Sequence, residues 1–243
     1  MAKLYVIGIG PGSSLYFTRR MDEALREVTA IVGYTPYLEY IEEYLPGKEL
    51  VSTGMKGEIE RCKEAIALAE SGKDTAIVST GDAGLYGMAG PIYQLAEGKD
   101  VDIEVIPGIS ANFAAASLLG APIMHDFACL SLSDLLTPME LIEKRARLAA
   151  QGDFVITLYN PRSKGRPHHL ERVIELIRGE GVPGDRPVGL VKNALREGQE
   201  VSIHTLDSLP IEEVDMMSMV IIGNSQTQVV DGHMVTPRGY ENK

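Results

Sequence analysis

The stretch from Thr75 to Gly90 constrains the fold more than any other part of this chain. Thr75 to Val78 is a short apolar run suited to a buried parallel strand. It stops at Ser79-Thr80-Gly81-Asp82-Ala83-Gly84-Leu85-Tyr86-Gly87-Met88-Ala89-Gly90, with four glycines and one carboxylate before a helical pattern begins. Ligands of open α/β sheets sit beyond the carboxyl ends of the strands, where glycines let backbone groups come close to them. Asp82 is then the one charged group of the stretch to face a ligand. A glycine-rich strand-to-helix turn with no ligand explains the stretch equally well, so the rest of the chain has to decide.

A length of 243 residues is enough for one large domain or for two smaller ones with their own cores. With 44% hydrophobic and 23% charged residues the chain is expected to fold as an ordinary globular enzyme, not a disordered segment. No apolar run approaches the roughly 18 to 20 residues of a membrane span. A strand pattern begins at Leu4 without the architecture of a signal peptide, so the expected compartment is the cytoplasm, with no membrane partner. The two cysteines, Cys62 and Cys129, suit buried small hydrophobes. The histidines, His125, His168, His169, His204 and His233, lack metal-ligand spacing, and no protein-held metal is expected. The net charge of −11, from 34 acidic and 23 basic residues, repels phosphate backbones and disfavours nucleic acid as a partner. An anionic small substrate would need a local cluster of cations.

Leu4 to Gly8 is a strand that runs into Gly8-Ile9-Gly10-Pro11-Gly12-Ser13. A dinucleotide turn is disfavoured there, because Ser13 stands where the third glycine belongs and Pro11 removes an amide. Tyr16 to Val28 is expected to be an amphipathic helix, Ala30 to Val32 a strand, and Gly57 to Glu70 a solvated helix. Tyr34 and Tyr37 follow the second strand, where they can line a substrate wall or pack on their own helix. A helix from about Leu85 to Glu97 and a strand Ile103 to Ile106 lead to Pro107-Gly108-Ile109-Ser110-Ala111-Asn112 and the small-residue helix Phe113 to Leu119. Strands alternating with helices to this point predict a mostly parallel sheet.

Gly120-Ala121-Pro122-Ile123 is the candidate linker, dividing the chain into domains 1–119 and 120–243. Beyond it, His125-Asp126-Phe127 enters an alternating run from Ala128 to Asp134, and Thr137-Pro138 opens a helix. Phe154 to Leu158 is a strong strand ending in Tyr159-Asn160-Pro161-Arg162-Ser163-Lys164-Gly165-Arg166, which puts three cations within five residues. That is the local cluster a carboxylate-reading site needs, although a solvated loop accounts for it as well. Pro187 to Val191, Val201 to Thr205 and Met217 to Ile222 complete a second sheet.

Five motifs in this order resemble the tetrapyrrole methyltransferases of the cobalamin pathway: Gly8 to Gly12, Ser79 to Gly87, Val105 to Ser110, Tyr159 to Ser163, and Val235 to Tyr240. The run Leu118 to Pro122, with His125-Asp126-Phe127 and Ser131 to Pro138, is similar to the branch that methylates C-17 and contracts the ring of precorrin-3B or cobalt-factor III. The resemblance implies two α/β domains with S-adenosylmethionine folded into the cleft between them, in a homodimer. It implies Pro11, Thr80, Gly81, Asp82, Leu85, Ser110, Ala111, Asn160, Ala194, Thr236 and Pro237 as cofactor contacts. Ring contraction moves protons, and His125, Asp126, Ser131, Ser133 and Asp134 are the candidates to supply those groups or to position the macrocycle, although His125 and Asp126 could equally satisfy a linker turn and Asp134 cap a helix. Arg162, Lys164, Arg166 and Arg238 are the candidates for the acetates and propionates of the substrate. Rival expectations are a methyltransferase of the same fold acting on ribosomal RNA or a protein side chain, and a carrier that binds a corrinoid without converting it.

Overall fold

The structure is a computed structural model in which residues 2–54 and 57–240 are described. The chain divides into two compact units, Met1–Ala111 and Asn112–Lys243. The break falls one helix before the Gly120 to Ile123 segment.

The first unit is built from β1 (Lys3–Gly8), α1 (Arg19–Glu27), β2 (Ala30–Tyr34), α2 (Thr35–Leu38), β3 (Glu49–Thr53), α3 (Glu58–Glu70), β4 (Thr75–Ser79), α4 (Ala89–Leu95) and β5 (Asp102–Ile106). Its five strands pair only in parallel, in the order β3-β2-β4-β1-β5. Successive side chains of a strand point to opposite faces, and both faces of β1 are apolar. Tyr5 and Ile7 pack with Met21 and Leu25 of α1, while Leu4 and Val6 pack with Cys62 and Ile66 of α3 and Ile92 of α4. Each such side chain contributes roughly 1.5 to 3 kcal/mol when buried, so a strand apolar on both faces has to be covered on both. Tyr34 and Tyr37 meet edge to face with ring centroids 5.0 Å apart.

Two helices are shorter than their apolar spacing predicts. Residues 14–16 form a 3-10 turn, and α1 starts at Arg19 because Thr18 Oγ1 accepts the Met21 N–H at 3.2 Å. The helix expected from Leu85 begins only at Ala89. The Asp82 carboxylate takes the N–H groups of Gly84 and Leu85 and holds them in a turn instead.

The second unit contains α5 (Ala111–Leu119), which opens it, then β6 (Gly120–Ala121), β7 (Phe127–Ser131), α6 (Met139–Gln151), β8 (Val155–Tyr159), α7 (His169–Gly179), β9 (Pro187–Lys192), β10 (Glu200–Thr205), β11 (Ser218–Ile222), β12 (Gln228–Val230) and β13 (His233–Val235). The large sheet has the order β10-β9-β11-β8-β7. β7 and β8 are parallel, and β11 is antiparallel to both β8 and β9, so β7, β8 and β9 all run the same way. One face carries Ile156, Leu158, Val188, Leu190, Val220 and Ile222 against α6 and α7. On the other face Leu119 of α5 lies where a Cβ on Gly189 would be, only 2.3 Å from its Cδ1. Gly120 and Ala121, expected as a linker, pair in parallel with β13 in a small sheet of order β12-β13-β6. Among the described residues no helix is long and apolar enough to cross a membrane.

Burial has a chemical consequence at Cys62, which has no exposed surface in α3 and whose thiol is pushed up to about 11 by desolvation. At pH 8 only about one such thiol in a thousand is ionised. Ellman's reagent at pH 8 should therefore leave Cys62 unmodified in the native protein and react with it at once in denaturant. Equal rates in both states would show that the α3 face of the sheet opens readily.

Candidate functional site

In the first unit, β4, β1 and β5 are neighbours and end at one edge. The turns that follow touch backbone to backbone. A Cβ on Gly8 would stand 2.6 Å from Gly81 O and 2.8 Å from Gly108 N, and one on Gly108 would stand 2.3 Å from Gly81 O. Gly10 and Gly81 exchange hydrogen bonds, Gly10 N–H to Gly81 O at 3.0 Å and Gly81 N–H to Gly10 O at 2.8 Å, with φ of +66° and +69°. Asp82 fastens the assembly. Its Oδ1 accepts the N–H of Gly84 at 2.8 Å and of Leu85 at 3.2 Å, and its Oδ2 accepts the N–H of Gly108 at 3.2 Å. The group expected to face a ligand thus has both oxygens engaged by the backbone.

These turns bring Pro11, Thr80, Gly81, Asp82, Leu85, Ser110 and Ala111 to one edge; a Cβ on Gly81 would lie 3.7 Å from Ser110 Cα and 3.9 Å from Ala111 N. The residues that cross, Gly8, Gly10, Gly81 and Gly108, carry no side chains, so what they present is backbone amides and carbonyls. Such a surface suits a small ligand held by the backbone, and it does not repel a cationic one. The residues present fit S-adenosylmethionine in that respect.

The second unit gathers its polar groups at the carboxyl edge of β7, β8 and β9. Asn160, at φ +51° after β8, donates from Nδ2 to Ser131 Oγ at 2.9 Å, and the Ser133 N–H donates to the same oxygen at 3.3 Å. Tyr159 Oη accepts the Asn112 N–H and donates to Asn112 Oδ1, each at 3.1 Å, which pins the start of α5. Ala194, after β9, sits between Asn193 and Leu195 at φ +48° and +58°. The turn is held by Asn193 Nδ2 on Gly198 O at 3.1 Å and the Leu195 N–H on Gln199 Oε1 at 2.9 Å.

The four candidate cations differ sharply. Arg162 is bound to Pro167 O and Glu212 O at 3.0 Å each and pairs with the Glu212 carboxylate. Lys164 and Arg238 are exposed. Arg166 is 9% exposed, donates to Ser133 Oγ and to Met216 Sδ at 3.3 Å, and leaves its buried Nε without a partner. Among the described residues no carboxylate pairs with it. Asp134, next to Ser133, has its Oδ2 3.1 Å from Nε2 of His169. That histidine, assisted by the charge of Arg166, holds the Asp134 carboxyl below the usual range against a smaller opposing effect of burial. His169 was not among the sequence candidates. The only signal was its place at the first turn of the helix after the cationic loop, where a side chain leans back over the preceding residues.

The remaining candidates lie at the other edge of this sheet. His125 and Asp126 precede β7, and Asp126 O accepts the Val155 N–H at the start of β8. His125 Nδ1 accepts the Asp126 N–H at 2.8 Å, and both side chains are exposed. The five residues of β7, roughly 16 Å of extended chain, separate this pair from Ser131. Thr236 has no exposed surface. Its hydroxyl donates to Pro122 O at 2.6 Å and lies 2.8 Å from Thr227 Oγ1, which accepts the Asn224 N–H just beyond β11. Since β11 runs against β8 and β9, Thr236, with Pro237 and Arg238 after it, belongs to the edge of His125 rather than that of Asn160.

The chain matches the tetrapyrrole (corrin/porphyrin) methylases over residues 3–210, and it belongs to that family. Its two α/β units agree with the fold expected from the motifs. More narrowly, it is 50% identical over 239 residues to the "probable cobalt-factor III C(17)-methyltransferase" of Salmonella typhimurium, covering 98% of this chain and 99% of that protein. It is 47% identical over 247 residues to the cobalt-factor III methyltransferase of Priestia megaterium, covering 99% of this chain but 46% of that protein, so it spans about half of that relative. Among solved structures, that of the methyltransferase CobJ superposes with a TM-score of 0.93 at 37% identity, covering 98% of this chain and 100% of the other.

The geometry of Asp82 sets a test. Asp82→Ala leaves three backbone N–H groups without their acceptor and should lower stability in urea by about 2 kcal/mol. Asp82→Asn, which keeps one acceptor oxygen, should lose about half as much. An alanine variant as stable as the parent would show that the turns hold without the carboxylate.

Proposed function

We propose that the protein transfers a methyl group from S-adenosylmethionine to C-17 of cobalt-factor III and contracts its ring, with precorrin-3B as the alternative acceptor. The observation that carries the reading is the meeting of three glycine turns at one strand edge in a chain of this family. The names of the two relatives at 50% and 47% identity favour the cobalt-containing acceptor.

The cofactor residues we propose are Pro11, Thr80, Gly81, Asp82, Leu85, Ser110 and Ala111 in the first unit, and Asn160, Ala194, Thr236 and Pro237 in the second. When bound, S-adenosylmethionine supplies a methyl group from a positively charged sulfur. The chain contributes position more than chemistry. Asp82 fixes the turns after β4 and β5 to one another, so the backbone groups that hold a ligand are already in place. Holding donor and acceptor in line supplies on the order of 7 to 11 kcal/mol of a barrier of this kind, and no enzyme nucleophile is required. Asp82 acts through the turns it fastens, and Thr236, fully buried, acts through the backbone around it.

For the substrate, we take Arg166 as the main carboxylate-binding cation among Arg162, Lys164, Arg166 and Arg238. A buried guanidinium with no anionic partner costs several kcal/mol that an incoming carboxylate offsets. Ser131, Ser133 and Asp134 share its edge of the sheet, and His125 and Asp126 remain proposed for the substrate at the other edge. We further propose that the enzyme works as a homodimer in the cytoplasm; light scattering on the purified protein reads its mass directly.

The test is an anaerobic incubation with S-adenosylmethionine and cobalt-factor III, followed by mass and absorption of the pigment. The expected result is the gain of one methyl group with a changed chromophore. Conversion of precorrin-3B alone would select the metal-free acceptor, and conversion of neither would overturn the reading. Arg166→Met should weaken tetrapyrrole binding by about ten- to a hundred-fold while leaving cofactor affinity unchanged. It should cost little stability, because among the described residues no carboxylate is paired directly with the charge it removes. Loss of both affinities together with the fold would refute the assignment.

A further inference from the structure

His125, the histidine the sequence places in the ring-contraction chemistry, lies at the opposite end of β7 from Ser131. The histidine at the edge shared by Ser131, Ser133, Asn160 and Arg166 is His169. Its ring is mostly buried, with 20% of the side chain exposed, and the two nitrogens differ. Nε2 is shut off from solvent, 3.1 Å from the Asp134 carboxylate. Among the described residues Nδ1 has no hydrogen-bond partner, and unlike Nε2 it is not shut off from solvent. An imidazole with a carboxylate against one nitrogen and the other nitrogen open is the arrangement in which a histidine moves protons at fixed orientation.

We propose that His169 donates the proton required for ring contraction, through Nδ1, with Asp134 as the carboxylate that orients its ring. The proposal rests on the methyltransferase reading above and adds a residue to it. In the step, the Nδ1–H bond breaks, the proton bonds to a carbon or oxygen of the macrocycle, and the electron pair of the broken bond stays on the ring nitrogen. Asp134 stays ionised throughout, its Oδ2 3.1 Å from Nε2. A proton from water restores the ring, and no oxidant or reductant takes part in the transfer. Two neighbours support the pair. Arg166 helps keep Asp134 charged, from the turn before α7, and it bonds to Ser133, which is adjacent to Asp134. Beside His169, His168 Nδ1 lies 3.4 Å from Glu171, which occupies that carboxylate elsewhere.

The experiment follows methylation, by mass, and contraction, by absorption, in the same anaerobic reaction with cobalt-factor III for the parent, His169→Gln and Asp134→Asn. Cofactor binding by calorimetry and thermal unfolding serve as controls. In His169→Gln contraction should fall by about a hundred-fold or more, while the methyl mass gain persists. Asp134→Asn should lose about ten-fold in contraction. Contraction by His169→Gln at the parental rate overturns the proposal. So does a parallel loss of methylation and contraction in a folded, cofactor-binding variant, which would make His169 part of the substrate seat. A parent enzyme that methylates neither cobalt-factor III nor precorrin-3B overturns the underlying reading, and shows it before any variant is made.

Discussion

The first unit depends on the closeness with which Gly8, Gly81 and Gly108 meet. Three parallel strands end side by side, and the turns that leave them have to pass one another within the width of a backbone. A methyl group at either Gly8 or Gly108 would stand under 3.0 Å from main-chain atoms of the others, which have no room to yield. Bringing peptide groups this close buries their dipoles, which need partners. The paired bonds between Gly10 and Gly81 and the three bonds accepted by Asp82 meet that need. The same contacts shorten α4 and leave the sheet edge lined with backbone. The architecture and the surface proposed to bind the cofactor therefore have one cause.

The second unit solves the same problem with side chains. Its carboxyl edge has no glycine crossing, and the turn geometry comes instead from Asn160, Asn193 and Leu195 in the left-handed region. For asparagine this conformation is inexpensive because the side chain bonds locally, as Asn160 does to Ser131 and Asn193 to Gly198. Leucine has no such compensation, and Leu195 holds its position with the help of Gln199.

Much of this was legible in the sequence, because strands apolar on both faces and glycine turns at their ends are local patterns. The five motifs were enough to identify the family. What the sequence hid were direction and occupancy. Nothing in the spacing of His125, Ser131 and Asp134 says that β7 runs between the first and the other two and carries them to opposite edges. Nor does the cationic loop reveal that Arg162 is already bound by Glu212 while Arg166 is folded inward. The start of α4 was misplaced because apolar spacing from Leu85 onward looks helical, and only the carboxylate of Asp82 decides otherwise.

The role proposed for Arg166 would also reconcile an acidic protein with an anionic substrate. With a net charge of −11, long-range attraction works against a polycarboxylate, and exposed lysines and arginines in salt are screened within about 8 Å. A guanidinium that is 9% exposed is screened far less, and it is fixed before the ligand arrives by Ser133 and Met216. Of these two, the thioether is the weak partner. Met216 is 46% exposed and its sulfur is a poor acceptor, so a carboxylate can displace it at small cost while the bond to Ser133 persists. In that proposal recognition relies on one short-range contact in a poorly hydrated place, and the surrounding negative charge acts as a filter. On this proposal, anions that cannot reach Arg166 are repelled, and one that can reach it replaces a neutral sulfur with an ion pair.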